Sequence, residues 1–419
     1  MSNGATLRAA PVVAFDSAAL KAGLRRAERS QKFHALVLVA PLLLFLALNF
    51  VLPIGSMLLR SIQDPEMSAA MPAAAALLRA LPDGVLPDDH LVGVLVTELR
   101  QTSESGALSG IANRLNYDIN GFRTLLFRTA RQIGPETSRA TLEDLVSIDP
   151  RWGQRETWAA LRHAAGPFTS FYLLAAVDRR VTADGGIAKT PAQQAIFVDV
   201  FERTFGVSAV VTLLCLVLAY PVAYLLATVP ARLANLLLIL VLLPFWTSVL
   251  VRTAAWMVLL QCEGIINSIG RRTGLISDPV QLIHNRIGVY IAMTYVLLPF
   301  MVLPLYGVMK GVSRLGVRAA LSLGASPFAA FRRVYLPQTL PGITAGCLLV
   351  FILAIGYYIT PALVGGADDQ LISYFIAFYT NQTLNWGMAA ALGLVLLVAT
   401  LMLYGVYTML AGTSGLKWR

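Results

Sequence analysis

The sequence predicts an all-α, polytopic membrane protein with six transmembrane helices and one mainly helical insert on the outer side. Three observations carry this. Only 13% of the 419 residues are charged while 57% are hydrophobic, and the mean hydropathy is +0.67. Soluble domains carry about 25% charged residues, so lipid is the solvent for much of this chain. Six stretches, 33–59, 204–231, 233–251, 287–309, 334–367 and 370–416, contain no Asp, Glu, Lys or Arg. Each is able to supply the roughly 20 apolar residues that cross a bilayer. Finally, the basic residues fall in the segments that an even number of crossings places on one side.

Residues 1–34 hold Arg8, Lys21, Arg25, Arg26, Arg29 and Lys32 against Asp16 and Glu28. The positive-inside rule puts this basic segment in the cytoplasm. Residues 35–60 form the first transmembrane helix, too long an apolar run for a cleaved leader. Residues 61–200 are the insert. Counted to Arg203, it has 17 acidic and 14 basic residues. Leu91, Val94, Leu95 and Leu99 recur at helical spacing, as do Leu125, Leu126 and Thr129 after Phe122. Pro82, Pro87, Pro135, Pro150 and Pro191 punctuate the insert, and Asp149-Pro150 and Asp184-Gly185-Gly186 read as turns. Its acidic run at Glu143, Asp144 and Asp149 reads either as a solvated face or as a docking surface. Residues 201–419 supply five further helices. The loop between crossings four and five carries Lys310, Arg314, Arg318, Arg332 and Arg333 without an acid. It therefore faces the cytoplasm, as does the C-terminus with Lys417 and Arg419.

That loop, 312–337, contains Arg-Ala-Ala-Leu-Ser-Leu-Gly-Ala-Ser-Pro from Arg318 and closes on Leu336-Pro337. Ala319 and Ala320 are small enough for close approach of another protein. Gly324 is suited to stop a helix at positive φ, and Ser326-Pro327 to cap and open the next. The loop resembles the coupling loop of ABC importer permeases, with Ala319, Ala320, Gly324, Ala325, Leu336 and Pro337 at matching positions. That signature begins with an acid where this chain has Arg318. The resemblance implies a helix–turn–helix that docks on a separate ATPase subunit. It also implies a second permease subunit, a periplasmic solute-binding protein and a bacterial inner-membrane location, with the insert periplasmic.

Leu-Pro-Phe-Trp at 243–246, Arg252-Thr253, Thr360-Pro361-Ala362 and Gly365-Gly366 resemble permeases of the spermidine/putrescine type. This implies alternating-access transport of a small organic solute, a polyamine in the first instance. An opine or amino-acid derivative is the alternative. Arg252 is the only charge between 233 and 262 and is expected toward the outer end of the third crossing. With Trp246 and Trp256 it is a candidate for the path or gate, or for an interfacial anchor. Pro244, Pro299, Pro304 and Pro361 mark bends in or near crossings.

Other classes find little support. Cys215, Cys262 and Cys347 show no metal spacing, and His34, His90, His163 and His284 are scattered. Neither a catalytic constellation nor a metal set stands out in the insert, as a membrane enzyme or sensor would need. A nucleotide phosphate loop is missing, so no cofactor is expected here and ATP would be used by the partner. The crossings lack the acids of an ion-coupled carrier. The net charge of +10 belongs mostly to the cytoplasmic face and is no nucleic-acid footprint.

Overall fold

The computed structural model describes residues 31–33, 35, 37–133 and 140–415. The basic segment 1–30, His34, Pro135, Lys417 and Arg419 lie outside the described residues. Among the described residues, six helices are long and apolar enough to cross a membrane: Gln31–Leu59, Phe197–Thr228, Val249–Arg272, Arg286–Gly311, Pro327–Ile355 and Trp386–Met409. They are called the first to sixth spans below. The protein is thus an all-α polytopic membrane protein, and the one small sheet among the described residues is a hairpin of Arg179–Val181 with Ile187–Lys189.

The first span belongs to a unit of its own, Met1–Met57. It contains a π turn, Ala47–Val51, with the Leu52 N–H reaching the Ala47 carbonyl. Pro53 follows immediately and has no N–H to continue the regular ladder.

In the second unit, Leu58–Arg419, the second, fourth and fifth spans share one core. Val211, Cys215, Ala219 and Ala223 line one face of the second span, and Val289, Met293, Leu297, Met301 and Leu305 line one face of the fourth. A spacing of four keeps such residues on a single ridge. On the fifth span, Gly342 and Gly346 repeat at the same interval. A Cβ at Gly346 would lie 2.7 Å from the Met301 sulfur. Small residues at this spacing let two helix backbones approach closely where lipid offers no hydrophobic drive.

The third crossing departs from the sequence reading. The charge-free stretch 233–251 is not one helix. Ala231–Leu242 is helical, Leu243–Trp246 tightens to a 3₁₀ turn, Thr247 and Ser248 are extended, and a new helix runs Val249–Leu260. Pro244 disrupts the ladder here. Arg252 therefore lies in the opening turn of a new helix rather than at the end of a continuous one. The last two stretches also hold more than a crossing each. The fifth span ends at Ile355 and a separate short helix, Ile359–Val364, follows. Helix Ile372–Asn381 precedes the sixth span.

The insert has two parts. The first is a helical module with its own core, built on Met71, Leu95, Leu99, Leu115, Phe122, Trp152 and Trp158 among others. Leu91, Leu95, Leu99, Phe122, Leu125, Leu126 and Thr129 are all buried, as their spacing predicts. A short neck closes the module. The Asp64 N–H donates to the Pro167 carbonyl at 3.0 Å, and the Thr169 N–H donates to that of Ile62 at 2.8 Å. The second part, from Phe171 to the second span, joins the membrane core. Tyr172, Ala176 and Phe197 pack with Ile372, Met388 and Leu392.

Candidate functional site

The loop between the fourth and fifth spans begins with Ser313, whose Oγ accepts the Leu315 N–H and opens helix Arg314–Ser322. That helix ends as its residues dictate. The Leu323 and Ala325 N–H groups donate to the carbonyls of Ala319 and Ala320, and Gly324 takes φ +89°. This is the left-handed conformation that a side chain disfavours. Ser326 Oγ then accepts the Ala329 N–H, with Pro327 in the first helical position.

Beyond this, Phe331–Tyr335 is a second π turn, closed by the Leu336 N–H on the Phe331 carbonyl. Leu336-Pro337 stands to this turn as Leu52-Pro53 stands to the first. The missing Pro337 donor and its ring loosen the ladder. The widened turn presents Phe331 and Tyr335 to the second span. Phe331 meets Tyr220 and Tyr224 edge-on at 6.1 and 6.2 Å, and Tyr335 meets Tyr224 at 5.4 Å. Tyr220 and Thr339 hydroxyls are 3.2 Å apart. Arg314 donates to the Ala227 carbonyl at 3.0 Å, in the last turn of the second span, where a cation is favoured. The loop is thus fixed to the second span and continuous with the fifth. Its outer side is free: Arg318, Ala319 and Gly324 are exposed, Ala320, Ala325 and Leu336 half-buried, and Pro337 exposed.

The three path candidates do not form one cluster. Trp246 is 75% exposed on the 3₁₀ turn. Trp256 packs edge-on to Tyr295 of the fourth span at 5.3 Å. Arg252 is half-buried, with a buried Nε that has no hydrogen-bond partner. Its neighbour Thr253 is buried and lies 3.1 Å, hydroxyl to hydroxyl, from Thr360 of the short helix Ile359–Val364. The end of that helix is held at the fourth span: the His284 N–H donates to the Val364 carbonyl, and Arg286 pairs with Asp369 at 3.0 Å. The sequence pattern marked Arg252 and Thr360-Pro361 separately. Their connection through Thr253 had no sequence signal, because a hydroxyl pair 107 residues apart has no period.

In the insert, two of the three acids of the run are engaged locally, while Glu143 stays exposed. Asp144 and Thr141 form a capping box, and Asp149 caps Pro150–Gly153 while binding Arg151. A more informative group is Arg114, which is buried. Its Nε pairs with Asp64 at 2.7 Å and its Nη1 with Asp118 at 2.9 Å. Its guanidinium carbon lies 4.1 Å from the Phe171 ring centre and 5.1 Å from that of Tyr172. Tyr172 in turn covers Gly387 at the start of the sixth span, where a Cβ would stand 2.5 Å from the ring. Asp178 accepts the N–H groups of Ile196, Phe197 and Val198 and so caps the second span.

Residues 217–412 match the family of binding-protein-dependent transport system inner membrane components. This match holds the third to sixth spans and the whole loop, and leaves the insert outside. The spermidine/putrescine transport system permease protein PotB of Haemophilus influenzae is 38% identical over 208 residues, 49% of this chain and 73% of that protein. Its Escherichia coli K12 counterpart is 35% identical over 212 residues, 51% of this chain and 77% of that protein. A crystal structure of a bacterial alginate ABC transporter aligns with a TM-score of 0.43 at 16% identity, over 51% of this chain and 78% of that one. The chain belongs to the family of binding-protein-dependent inner-membrane components. It is an ABC importer permease, a multi-pass inner-membrane protein and by family a transport subunit rather than an enzyme.

Proposed function

We propose that this permease imports a polyamine such as spermidine or putrescine by alternating access, driven by a separate ATPase. The observation that carries the substrate class is the 38% identity to a spermidine/putrescine permease over 208 residues. In this reading the chain pairs with a second, different permease subunit and receives solute from a periplasmic binding protein. Both termini and the loop 312–337 are cytoplasmic, and residues 61–200 are periplasmic. ATP is used by the partner, and no cofactor is needed in this chain.

The loop is the coupling element. Arg318, Ala319, Ala320, Gly324 and Ala325 face the ATPase, and Leu336-Pro337 sets the π turn behind them. ATPase closure moves the loop, and the Phe331 and Tyr335 contacts carry that motion to the second span while the fifth follows through the backbone. The break before the third span, with Trp246 on one side and Arg252 and Trp256 on the other, is the gating region.

Uptake of labelled spermidine tests the substrate. The complete system is expressed in cells without their own polyamine importer, and uptake is expected to require the binding protein. A second reading, transport of an opine or amino-acid derivative, is favoured by Arg252. An unpartnered guanidinium suits a carboxylate better than an amine. Competition by carboxylate solutes but not by polyamines would select it. Co-purification of the ATPase with wild type but not with Gly324→Asp tests the loop.

A further inference from the structure

The outer side of the coupling loop has a chemistry of its own. Leu323, beside the Gly324 turn, is 88% exposed, and no large apolar side chain among the described residues is more exposed. Phe328, across the turn, is 72% exposed. The cations around this tip are not neutralised from within. The chain has no Asp or Glu between Asp278 and Asp368. Arg314 is engaged with the Ala227 carbonyl, but Arg318 stands exposed and its guanidinium makes no ion pair among the described residues.

The helix face bearing Arg318 is not built for lipid. Leu315, Arg318, Ala319 and Ser322 stand at i, i+3, i+4 and i+7 and so share one helix face. The face is therefore mixed, where a membrane-surface helix needs a continuous apolar stripe. The tip is also rigid, since both helices are capped and the turn is closed by backbone hydrogen bonds. A rigid apolar knob with an adjacent free guanidinium fits a protein pocket with a carboxylate at its rim.

We infer that the ATPase subunit for this permease carries an acidic-rimmed apolar pocket, which takes Leu323 and Phe328 and pairs a carboxylate with Arg318. This rests on the reading of the loop as the ATPase-coupling element. It adds the sign of the contact, which is inverted relative to a loop that begins with an acid.

The test uses the full permease in nanodiscs of neutral lipid and its cognate ATPase. Affinity is expected to fall as salt rises. Arg318→Glu is expected to weaken binding by about tenfold or more, because it sets like charges face to face. Arg318→Lys should stay within about threefold of wild type. Replacing the facing ATPase carboxylate by Lys should restore binding to Arg318→Glu. If Arg318→Glu binds as wild type while Phe328→Asp does not, the ATPase reading stands and the acidic partner is wrong. If neither variant changes ATPase binding, but both weaken adhesion of the permease discs to anionic vesicles, the loop is a lipid contact and both readings fall.

Discussion

Arg114 lies where the insert's module meets the segment that joins the membrane core. Its two carboxylates and two aromatic rings come from three separate places in the chain, Asp64, Asp118 and the adjacent pair Phe171-Tyr172. Removing the cation leaves Asp64 and Asp118 buried without a counter-charge. Arg114→Met is expected to destabilise the insert by about 3–5 kcal/mol, read as a lower denaturation midpoint of the purified permease. The same site sets a pH dependence. Burial pushes Asp118 up to about 6, with Arg114 pulling the other way, and burial also raises Asp64 and Glu66. Carboxyls raised in the fold bind protons better there than when unfolded. Their contribution is complete below the ordinary carboxylate range and is lost as pH rises above it, for Asp118 through about 6. His163, lowered by burial, works in the opposite sense. The check is therefore a difference: the wild type should lose more stability between pH 5 and pH 7.5 than Asp118→Asn, as an order-of-magnitude window for the titration. Equal losses would remove Asp118 from the account.

Among the elements, the loop between the fourth and fifth spans was the most legible. Ser326-Pro327 and Gly324 each have one dominant backbone use, and the structure puts each to that use. The apolar faces of the module's helices were legible for the same reason, since Leu91, Leu95 and Leu99 can share a buried face only at the helical period. The crossings were less so. A charge-free stretch reports polarity, not continuity, and both Ile359–Val364 and Ile372–Asn381 are apolar without being spans. The break at Pro244 was marked as a bend, but a full restart at Val249 depends on Thr247 and Ser248 becoming extended, which neither residue type dictates. The grip of Tyr172 on Gly387 had no signal at all. It predicts that Gly387→Leu separates the insert's last helix from the sixth span and lowers stability by about 1–3 kcal/mol through overpacking. Tyr172→Ala in the same chain should recover part of that loss, measured by thermal unfolding. Simple addition of the two losses would mean the residues are not in contact.

For the whole molecule, the sidedness proposed above makes a direct prediction. Ser147 in the insert and Ser322 in the coupling loop are both exposed. In a chain freed of its native cysteines, Ser147→Cys should react with an impermeant thiol reagent applied to spheroplasts, and Ser322→Cys only after the membrane is opened. The reverse pattern would invert the topology. The family match, confined to 217–412, separates the membrane core that the family shares from the module that decorates it. Polarity revealed the first from sequence, whereas the module showed its helical faces by their period but not how those helices pack together.

The hydrogen-bonded neck at Ile62–Asp64 and Pro167–Thr169 brings the two ends of the module side by side. Residues 65–166 are, in effect, a cassette on a hairpin stem. Replacing them by Asn-Gly, the pair suited to a two-residue turn, should leave a membrane core that still purifies as a single species and still binds its ATPase. Aggregation of that short form would show the module to be integral to the core. With the stem closed and Arg114 kept on the Phe171 and Tyr172 rings, the rest of the cassette is free to lengthen or shorten without moving the ends that the membrane core meets.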